Sequence, residues 1–200
     1  MGSKNLKAIV VRGHTRPSYP DAYAFRRAVR RANYMIRERS VALSLTGTAG
    51  GVPGAEHAGD LPLKNWQEGS WPEGAQAISG QVIHDNYWVK DTNCHACPIG
   101  CGKTVKIESG PHAGVYGHGP EYETLAGFGG NCQCDDLNAI AWMNDLCNRY
   151  GLDTITTSSV IAFAMDLAQR GVLTPADTPG LNLDWGDTEA MADLLKQIAY

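Results

Sequence analysis

The chain has 200 residues and a mass of 21.5 kDa, enough for one large domain or one and a half average ones. Hydrophobic residues make up 43% of it and charged residues 19%, which excludes a disordered tail, a coiled coil and a collagen-like rod. With a net charge of −4 and no apolar run long enough to span a bilayer, neither a nucleic acid nor a membrane is expected as a partner.

The two ends of the sequence and its cysteine content indicate the cellular compartment and the completeness of the chain. The short apolar run Ala8–Val11 lacks the length and the cleavage site of a secretory signal, so we predict a cytoplasmic protein. In that reducing compartment, the six cysteines are more often metal ligands than disulfide partners. The helical pattern at Ile198–Tyr200 stops without a cap, which predicts that the chain is a piece of a longer protein.

In the first half of the chain, the pattern predicts a short strand over Lys7–Val11 and a helix over Asp21–Arg39. One face of this helix is rich in arginine, which favours a solvated or docked face over a face for nucleic acid or an acidic partner. Thr46–Gly59 is glycine-rich and aperiodic and is predicted to be a loop. Ser79–Val89 is predicted to be a short helix, and Lys103–Glu108 alternates like an edge strand.

The second half of the chain has the periodicity of three helices. Asp135 is predicted to cap the first, which ends at Gly151. Ser158 is predicted to cap the second, which ends at Gly171, and the third is predicted to begin at Thr188. The fold class predicted from the pattern is therefore mainly α with a few short strands.

Three cysteines, Cys94, Cys97 and Cys101, have the spacing C-x2-C-x3-C. A tight turn can bring such thiolates onto one concave side, and this asymmetric spacing favours an iron–sulfur cluster with a fourth ligand elsewhere. A zinc site or inert thiols are the alternatives. The fourth ligand is not obvious, because Cys132 and Cys134 are separated by one residue and Cys147 lies on an apolar helical face, where it reads as a small buried hydrophobe.

These cysteines and four other segments together resemble the tungsten-containing aldehyde:ferredoxin oxidoreductases over essentially the whole chain. Each segment is weak alone, but their order is specific. They are Met1 to Ile9, Leu61-Pro62 with Asn65-Trp66, the cysteine cluster, Gly119 to Thr124, and Gly151 to Thr154.

The resemblance implies that the chain is an internal fragment, a partial helical domain of such a protein. Residues 1–13 would end its N-terminal pterin-binding β domain, and residues 14–200 would form most of its first helical domain. It implies two cofactors, a tungsten (or molybdenum) bis-pterin and a 4Fe-4S cluster. Cys94, Cys97 and Cys101 would be three of the cluster ligands, and the fourth would lie beyond Tyr200.

The resemblance also implies roles for individual residues. The segment that begins at Asn148 and continues through Gly151, Leu152 and Asp153 matches a D-x-x-G-L-D pterin motif, with asparagine in place of its first aspartate. An amide still accepts a hydrogen bond from a pterin amine, but without the charge-assisted part. The family's E-x-x-H pattern for a bridging iron is replaced by Trp142 to Asp145, so we predict no such iron.

Glu123 aligns with the family's proposed general base. A carboxylate in a dry pocket, lined by residues such as Phe128, would suit the removal of a proton from water. Glu121 is the alternative base, since these two carboxylates flank Tyr122, and one of them is a helix-start carboxylate in the simplest interpretation.

The function that the resemblance implies is oxidation of an aldehyde to a carboxylate with water, with electrons leaving through the cluster. The implied partners are ferredoxin or another electron-transfer subunit, a small aldehyde substrate, and a second copy of the chain in a homodimer. Two alternatives remain open. One is the catalytic subunit of a tungsten-dependent aromatic acyl-CoA reductase, and the other is a non-catalytic module that holds an iron–sulfur centre or zinc.

Overall fold

The computed structural model describes residues 2–200 and is mainly helical with one small sheet, as the sequence predicts. Met1, the first residue of the predicted segment 1–13, lies outside the described residues. The helices are α1 (Ala22–Arg39), α2 (Val41–Thr46), α3 (Val52–His57), α4 (Pro72–Ala77), α5 (Gly80–Asn86), α6 (Tyr122–Thr124), α7 (Leu137–Tyr150), α8 (Thr154–Gln169) and α9 (Thr188–Ala199). Short 3-10 turns cover Gly2–Lys4 and Thr48–Gly51, and a π-helix covers Leu125–Asn131.

The sheet is antiparallel and consists of β1 (Trp88–Thr92), β2 (Gly102–Lys106) and β3 (Tyr116–His118), in the order β1-β2-β3. The prediction of an edge strand over Lys103–Glu108 is wrong in one respect, because β2 is the central strand. Its residues Gly102 to Val105 are buried. Lys103, a polar residue of the alternating pattern, is buried and forms an ion pair with Asp91. The alternation therefore does not mark a solvent-facing side.

Two predictions for the first half of the chain are wrong. Lys7–Val11 is irregular and exposed, because no strand in residues 2–200 lies beside it and a lone strand leaves its backbone groups unpaired. Thr46–Gly59 is not a loop but contains the end of α2, the 3-10 turn and α3. The glycines of this segment interrupt the apolar periodicity by which a helix is recognised. Pro53 lies in the first turn of α3, where helices tolerate proline.

The predicted helix over Asp21–Arg39 is confirmed as α1. The Asp21 carboxylate caps it by accepting hydrogen bonds from the backbone N–H groups of Tyr23 and Ala24, each 2.9 Å long. The helix has no buried residue, and Phe25 and Val29 on its apolar side remain 41% and 39% exposed. The predicted helix within Ser79–Val89 is confirmed as α5, with Ser79 as its cap.

The three helices of the second half are confirmed, with two of their caps at other residues. Asp136 caps α7 rather than Asp135, since its Oδ1 accepts from the N–H groups of the second and third residues that follow it. Asp153 caps α8, whereas Ser158 is fully buried inside that helix. Asp187 caps α9, which begins at Thr188 as predicted.

The second half of the chain contributes most of the core, and Val52, Leu63 and Ile78 of the first half are fully buried in the same cluster. Helix α9 packs against α7 and α8, and the π-helix packs against α7 and α8 from another side. The largest fully buried side chains of α7, α8, α9 and the π-helix are those of Leu125, Phe128, Ile140, Met143, Ile161, Met165, Met191 and Leu195. Within residues 2–200, no helix has both the length and the apolar character needed to cross a membrane.

Candidate active site

The segment that links β3 to the π-helix carries both candidate carboxylates, and the structure treats them differently. The Glu121 carboxylate accepts a hydrogen bond from the Thr48 hydroxyl, and the same hydroxyl oxygen accepts from the Tyr122 N–H at 2.9 Å. His118 Nε2 lies 3.7 Å from the other oxygen of Glu121. Glu121 therefore ties the segment to the 3-10 turn at Thr48–Gly51.

Glu123, in contrast, is exposed and lines a cavity of about 320 Å³. Within residues 2–200, no side chain forms a salt bridge with its carboxylate. The expectation that Phe128 lines the pocket of Glu123 is wrong, because Phe128 is fully buried in the core and does not reach this cavity. The geometry favours Glu123 over Glu121 as the group that can meet a ligand, since Glu121 is already engaged.

The floor of this cavity is the π-helix, in which every residue is buried. Its glycines allow close packing. A Cβ atom on Gly127 would lie 2.1 Å from the Ser158 hydroxyl oxygen, and one on Gly130 would lie 2.5 Å from the Pro62 carbonyl oxygen. Because real Cβ atoms do not approach so closely, glycine is required at both positions. The π-helix ends at Asn131, which is 4% exposed and also lines the cavity.

The predicted pterin motif forms the turn between α7 and α8. Gly151 adopts the left-handed conformation, with φ +73°, and the Leu152 N–H donates to the Cys147 carbonyl at 2.9 Å. Asn148 and Asp153 are exposed. The turn thus presents one amide and one carboxylate at its surface, both of which can accept hydrogen bonds from a ligand amine.

Asp153 has a structural task in this turn. Its Oδ2 accepts from the N–H and from the hydroxyl of Thr156, each at 2.7 Å. These two hydrogen bonds hold the pKa of the Asp153 carboxyl below its usual value. The group is therefore a fixed anion at the N-terminus of α8, and both capping bonds use only one of its two oxygens.

The structure brings the Glu123 segment and the predicted pterin turn together. The hydroxyl of Thr124, which follows Glu123, lies 3.0 Å from the hydroxyl of Thr154, which follows Asp153. This contact holds two segments that are 30 positions apart in the sequence side by side. No periodic pattern in the sequence indicates this contact.

The cysteine loop lies between β1 and β2. Cys94 is exposed and Cys97 and Cys101 are half-buried, and the Cys97 N–H donates to the Cys94 carbonyl at 3.0 Å. In the part of the chain that the structure describes, no three or more Cys, His, Asp or Glu side chains lie close enough together to hold a metal ion. The loop therefore offers three accessible thiols but does not draw them into a closed site.

A buried lysine secures this loop. Lys103 donates from Nζ to the Asp91 carboxylate at 2.7 Å, to the Gly100 carbonyl at 3.2 Å and to the Ser44 carbonyl. The Ser44 hydroxyl in turn donates to the Ile99 carbonyl at 2.7 Å. Although burial raises the pKa of Asp91, the hydrogen bonds from Lys103 and Trp88 outweigh it and the pKa lies below its usual value. These bonds join the cysteine loop to β1 and α2.

The other three cysteines are buried. Burial raises the pKa of the Cys147 thiol to about 11 and that of the Cys134 thiol to about 12. Burial raises the pKa of Cys132 as well, and its thiol lies against the Ser158 carbonyl at 3.5 Å. Because metals bind the thiolate, these protonated thiols are poor candidates for the missing fourth ligand. The interpretation of Cys147 as a small buried hydrophobe is confirmed.

Comparison with known proteins identifies the class to which this fold and this site belong. The family model described as aldehyde ferredoxin oxidoreductase, domains 2 and 3, matches residues 27–200. The chain belongs to the aldehyde ferredoxin oxidoreductase family.

Similar proteins include two tungsten-containing aldehyde ferredoxin oxidoreductases. The one from Thermococcus kodakarensis is 38% identical over all of this chain and the one from Pyrococcus furiosus is 37% identical, and in both the match covers 33% of the relative. The WOR-like subunit of an aliphatic sulfonate oxidoreductase from Pyrococcus furiosus is 34% identical over 99% of this chain and 32% of its own. The chain therefore spans about a third of the length of these relatives.

Among solved structures, the active-site complex BamBC of benzoyl coenzyme A reductase shares the fold. Its TM-score is 0.64 at 19% sequence identity, and the match covers 86% of this chain and 27% of that one. At this identity the likeness concerns the fold alone. It agrees with a mainly helical, partial domain of the family.

Proposed function

We propose that this chain is the part of a cytoplasmic aldehyde oxidoreductase that supplies the general base, one pterin-binding turn and three ligands of a 4Fe-4S cluster. The reaction would convert an aldehyde and one water molecule into a carboxylate, three protons and two electrons. The electrons would pass to an oxidised ferredoxin or another electron-transfer subunit. The names of the relatives support the tungsten and the aldehyde chemistry, since three tungsten enzymes of this class share more than a third of their matched residues with this chain.

The observation that carries the proposal is the contact between Thr124 and Thr154, 3.0 Å apart, which places the Glu123 segment beside the predicted pterin turn. A base must lie close to the centre where oxygen is transferred. A pterin held at Asn148 and Asp153 would lie next to the surface that carries Glu123. When bound, the tungsten bis-pterin would supply the two-electron redox chemistry that no side chain can provide.

The donor chemistry of the chain fits both cofactors. The Asn148 amide and the Asp153 carboxylate are exposed acceptors for pterin amines. Cys94, Cys97 and Cys101 are accessible thiols on a loop that hydrogen bonds secure, in contrast to the buried thiols of the other three cysteines. The role of the chain is to hold these groups, while Glu123 takes a proton from water in its cavity.

The first experiment is elemental analysis of the native protein, purified without oxygen, for iron, tungsten, molybdenum and zinc. About four irons and one tungsten per chain support the proposal. Iron alone or zinc alone would refute it in favour of a non-catalytic metal-binding module. Assays of the same preparation with aldehydes and with aromatic acyl-CoA esters then separate the proposed reaction from ring reduction.

A further inference from the structure

Trp66 differs from the other tryptophans of the chain. It is 71% exposed, and within residues 2–200 neither an aromatic ring nor a cation lies on its indole. Trp88 is 44% exposed, but its Nε1 donates to the Asp91 carboxylate at 3.0 Å. The remaining tryptophans pack against the core, namely Trp71, Trp142 and Trp185. Because tryptophan is highly buried on average in folded proteins, a free indole indicates a surface that meets a ligand or a partner.

The backbone at Trp66 has an uncommon conformation. Lys64, Asn65 and Trp66 follow one another in the left-handed region, with φ values of +49°, +49° and +65°. Residues with a Cβ atom adopt this region as single residues, since the Cβ comes too close to the following carbonyl oxygen. A run of three persists only where the surrounding structure imposes it, and such backbones cluster at active sites and ligand clamps.

Hydrogen bonds around Trp66 impose this conformation. The N–H groups of Lys64 and Asn65 donate to two carbonyls at the end of the π-helix, at 3.1 and 3.0 Å. The side chains of Asn65 and Gln67 donate to the Asp166 carboxylate on α8, at 3.0 and 2.9 Å. The residues on both sides of Trp66 are therefore fixed to the helical core, and they present the indole from a rigid frame.

Trp66 lines the same cavity as Glu123. Ile155, which is 48% exposed, adds aliphatic surface to this cavity, and the exposed Asp60 adds a second carboxylate. Small-molecule sites combine apolar walls with a few polar groups that orient the ligand. Two carboxylates in one cavity repel an anionic guest, so the lining favours a neutral molecule with an apolar body.

We propose that the indole of Trp66 is the surface on which the ring of an aromatic aldehyde stacks, with its carbonyl group toward Glu123. Aromatic rings prefer offset-stacked or edge-to-face contacts with a flat π surface such as an indole. An aldehyde is neutral and polar only at its reacting group, so it matches both kinds of cavity wall. This substrate class rests on the proposed function, whereas the stacking surface can be tested with a neutral aromatic amide that undergoes no oxidation.

The kinetic test compares benzaldehyde, cyclohexanecarbaldehyde and acetaldehyde on the metal-loaded native enzyme. The second aldehyde has the ring size of the first but no π surface. Trp66→Ala should lower kcat/KM for benzaldehyde by about 10-fold, through a higher KM, and for cyclohexanecarbaldehyde by about threefold. For acetaldehyde the change should be less than about twofold. Trp66→Phe keeps an aromatic face and should retain most of the benzaldehyde activity. Equal losses for benzaldehyde and cyclohexanecarbaldehyde would overturn the proposal.

Phe163→Ala is the matched control, because Phe163 on α8 is 55% exposed and lies outside the cavity. It should leave the rates with all three aldehydes unchanged. Trp66→Ala should also retain the Tm of the wild type, since the indole packs on no core residue. A large loss of Tm would assign Trp66 to contacts within the protein and overturn the proposal.

The binding test needs no turnover. Calorimetry on the native enzyme should show that benzamide binds to the wild type about 10-fold more tightly than to Trp66→Ala, with a smaller difference for cyclohexanecarboxamide. Absence of benzamide binding to the wild type, or equal Kd values in the two proteins, would overturn the stacking surface. A wild type that oxidises none of the aldehydes would refute the proposed function instead, and the amide binding would still decide the role of Trp66.

Discussion

The two carboxylates around Tyr122 are equivalent in the sequence pattern but have different environments in the fold. Glu121 is engaged by the Thr48 hydroxyl and lies near His118, whereas Glu123 lines the cavity. The resemblance selects Glu123 by position, and the hydrogen bonds provide an independent physical reason for the same choice. A residue that already holds two segments together is a poor proton acceptor for a substrate.

Glu123→Gln is the substitution that tests the base. The amide cannot take a proton from water, so turnover should fall by about 10²- to 10⁴-fold, with iron and tungsten contents unchanged. Glu73→Gln is a matched control, since Glu73 is an exposed glutamate in the first turn of α4. Turnover within a factor of two of the wild type in Glu123→Gln would remove this residue from the role.

Cys97→Ser and Cys147→Ser separate the two kinds of cysteine. A hydroxyl is a weaker iron ligand than a thiolate, so Cys97→Ser should lose most of its iron while its circular dichroism spectrum is retained. Cys147→Ser places a hydroxyl in the core and should lower stability by about 1–3 kcal/mol with its iron content retained. Measurements of iron content and of thermal unfolding on both variants test the two roles. Equal iron content in Cys97→Ser and the wild type would contradict the role of Cys97 as a cluster ligand.

At the scale of the elements, the close packing of the π-helix on α8 decides where the cavity floor lies. A Cβ at position 127 would lie 2.1 Å from the Ser158 Oγ and 3.0 Å from its Cβ. Gly127→Ala should therefore lower the free energy of unfolding by about 1–3 kcal/mol, as overpacking does. Denaturant titration measures this loss.

Two further variants make the Gly127 experiment specific. In a Ser158→Ala background, Gly127→Ala should cost less, because the nearer of the two clashing atoms is gone. Gly54→Ala in α3 is the control, since a Cβ there would meet nothing within 4 Å. Alanine also favours a helix over glycine, so this control should be neutral or slightly stabilising. A loss at Gly54 as large as that at Gly127 would show that the effect is not steric.

The elements that the sequence predicts well are those with local signals. Helices α1, α7 and α9 have apolar periodicity together with caps or a glycine stop, and they are found within one or two residues of the prediction. Helix α3 has no recognisable apolar periodicity, because it lies in a glycine-rich segment. The cap of α8 differs from the prediction because Ser158, a good cap by residue type, is buried inside the helix, and the Asp153 of the predicted pterin motif caps it instead.

The parts of the site that the sequence could not predict depend on long-range contacts. Thr124 and Thr154 meet only because the π-helix and α8 pack together. Asn131 carries no distinguishing mark in the sequence beyond its place after a glycine-rich run, and only the fold shows that it is buried beside the Glu123 cavity. Residue type and spacing predict ligand candidates, whereas tertiary packing decides which of them face a common space.

At the scale of the whole molecule, Asp166 connects the first half of the chain to the helical core. Its carboxylate, largely buried on α8, accepts from Asn65 Nδ2 at 3.0 Å, from Gln67 Nε2 at 2.9 Å and from Arg170 Nε at 2.6 Å. The bond from Arg170 is the largest cause that holds the pKa of Asp166 below its usual value. The loop that Asp166 holds through Asn65 also supports Asn131, so this carboxylate stabilises the cavity floor from a distance.

Because the pKa of Asp166 is lower in the folded than in the unfolded chain, the folded state is stabilised at every pH above the unfolded value of about 3.9. That contribution is lost as the pH falls below about 4 and through the folded pKa. Asp166→Asn should therefore be less stable than the wild type at pH 7, and the difference in Tm should shrink below about pH 4. The control Asp193→Asn removes a surface ion pair with Lys196 and should change Tm little at either pH. A difference in Tm between Asp166→Asn and wild type that stays constant from pH 7 to pH 3 would show that the carboxylate charge does not hold the two halves together.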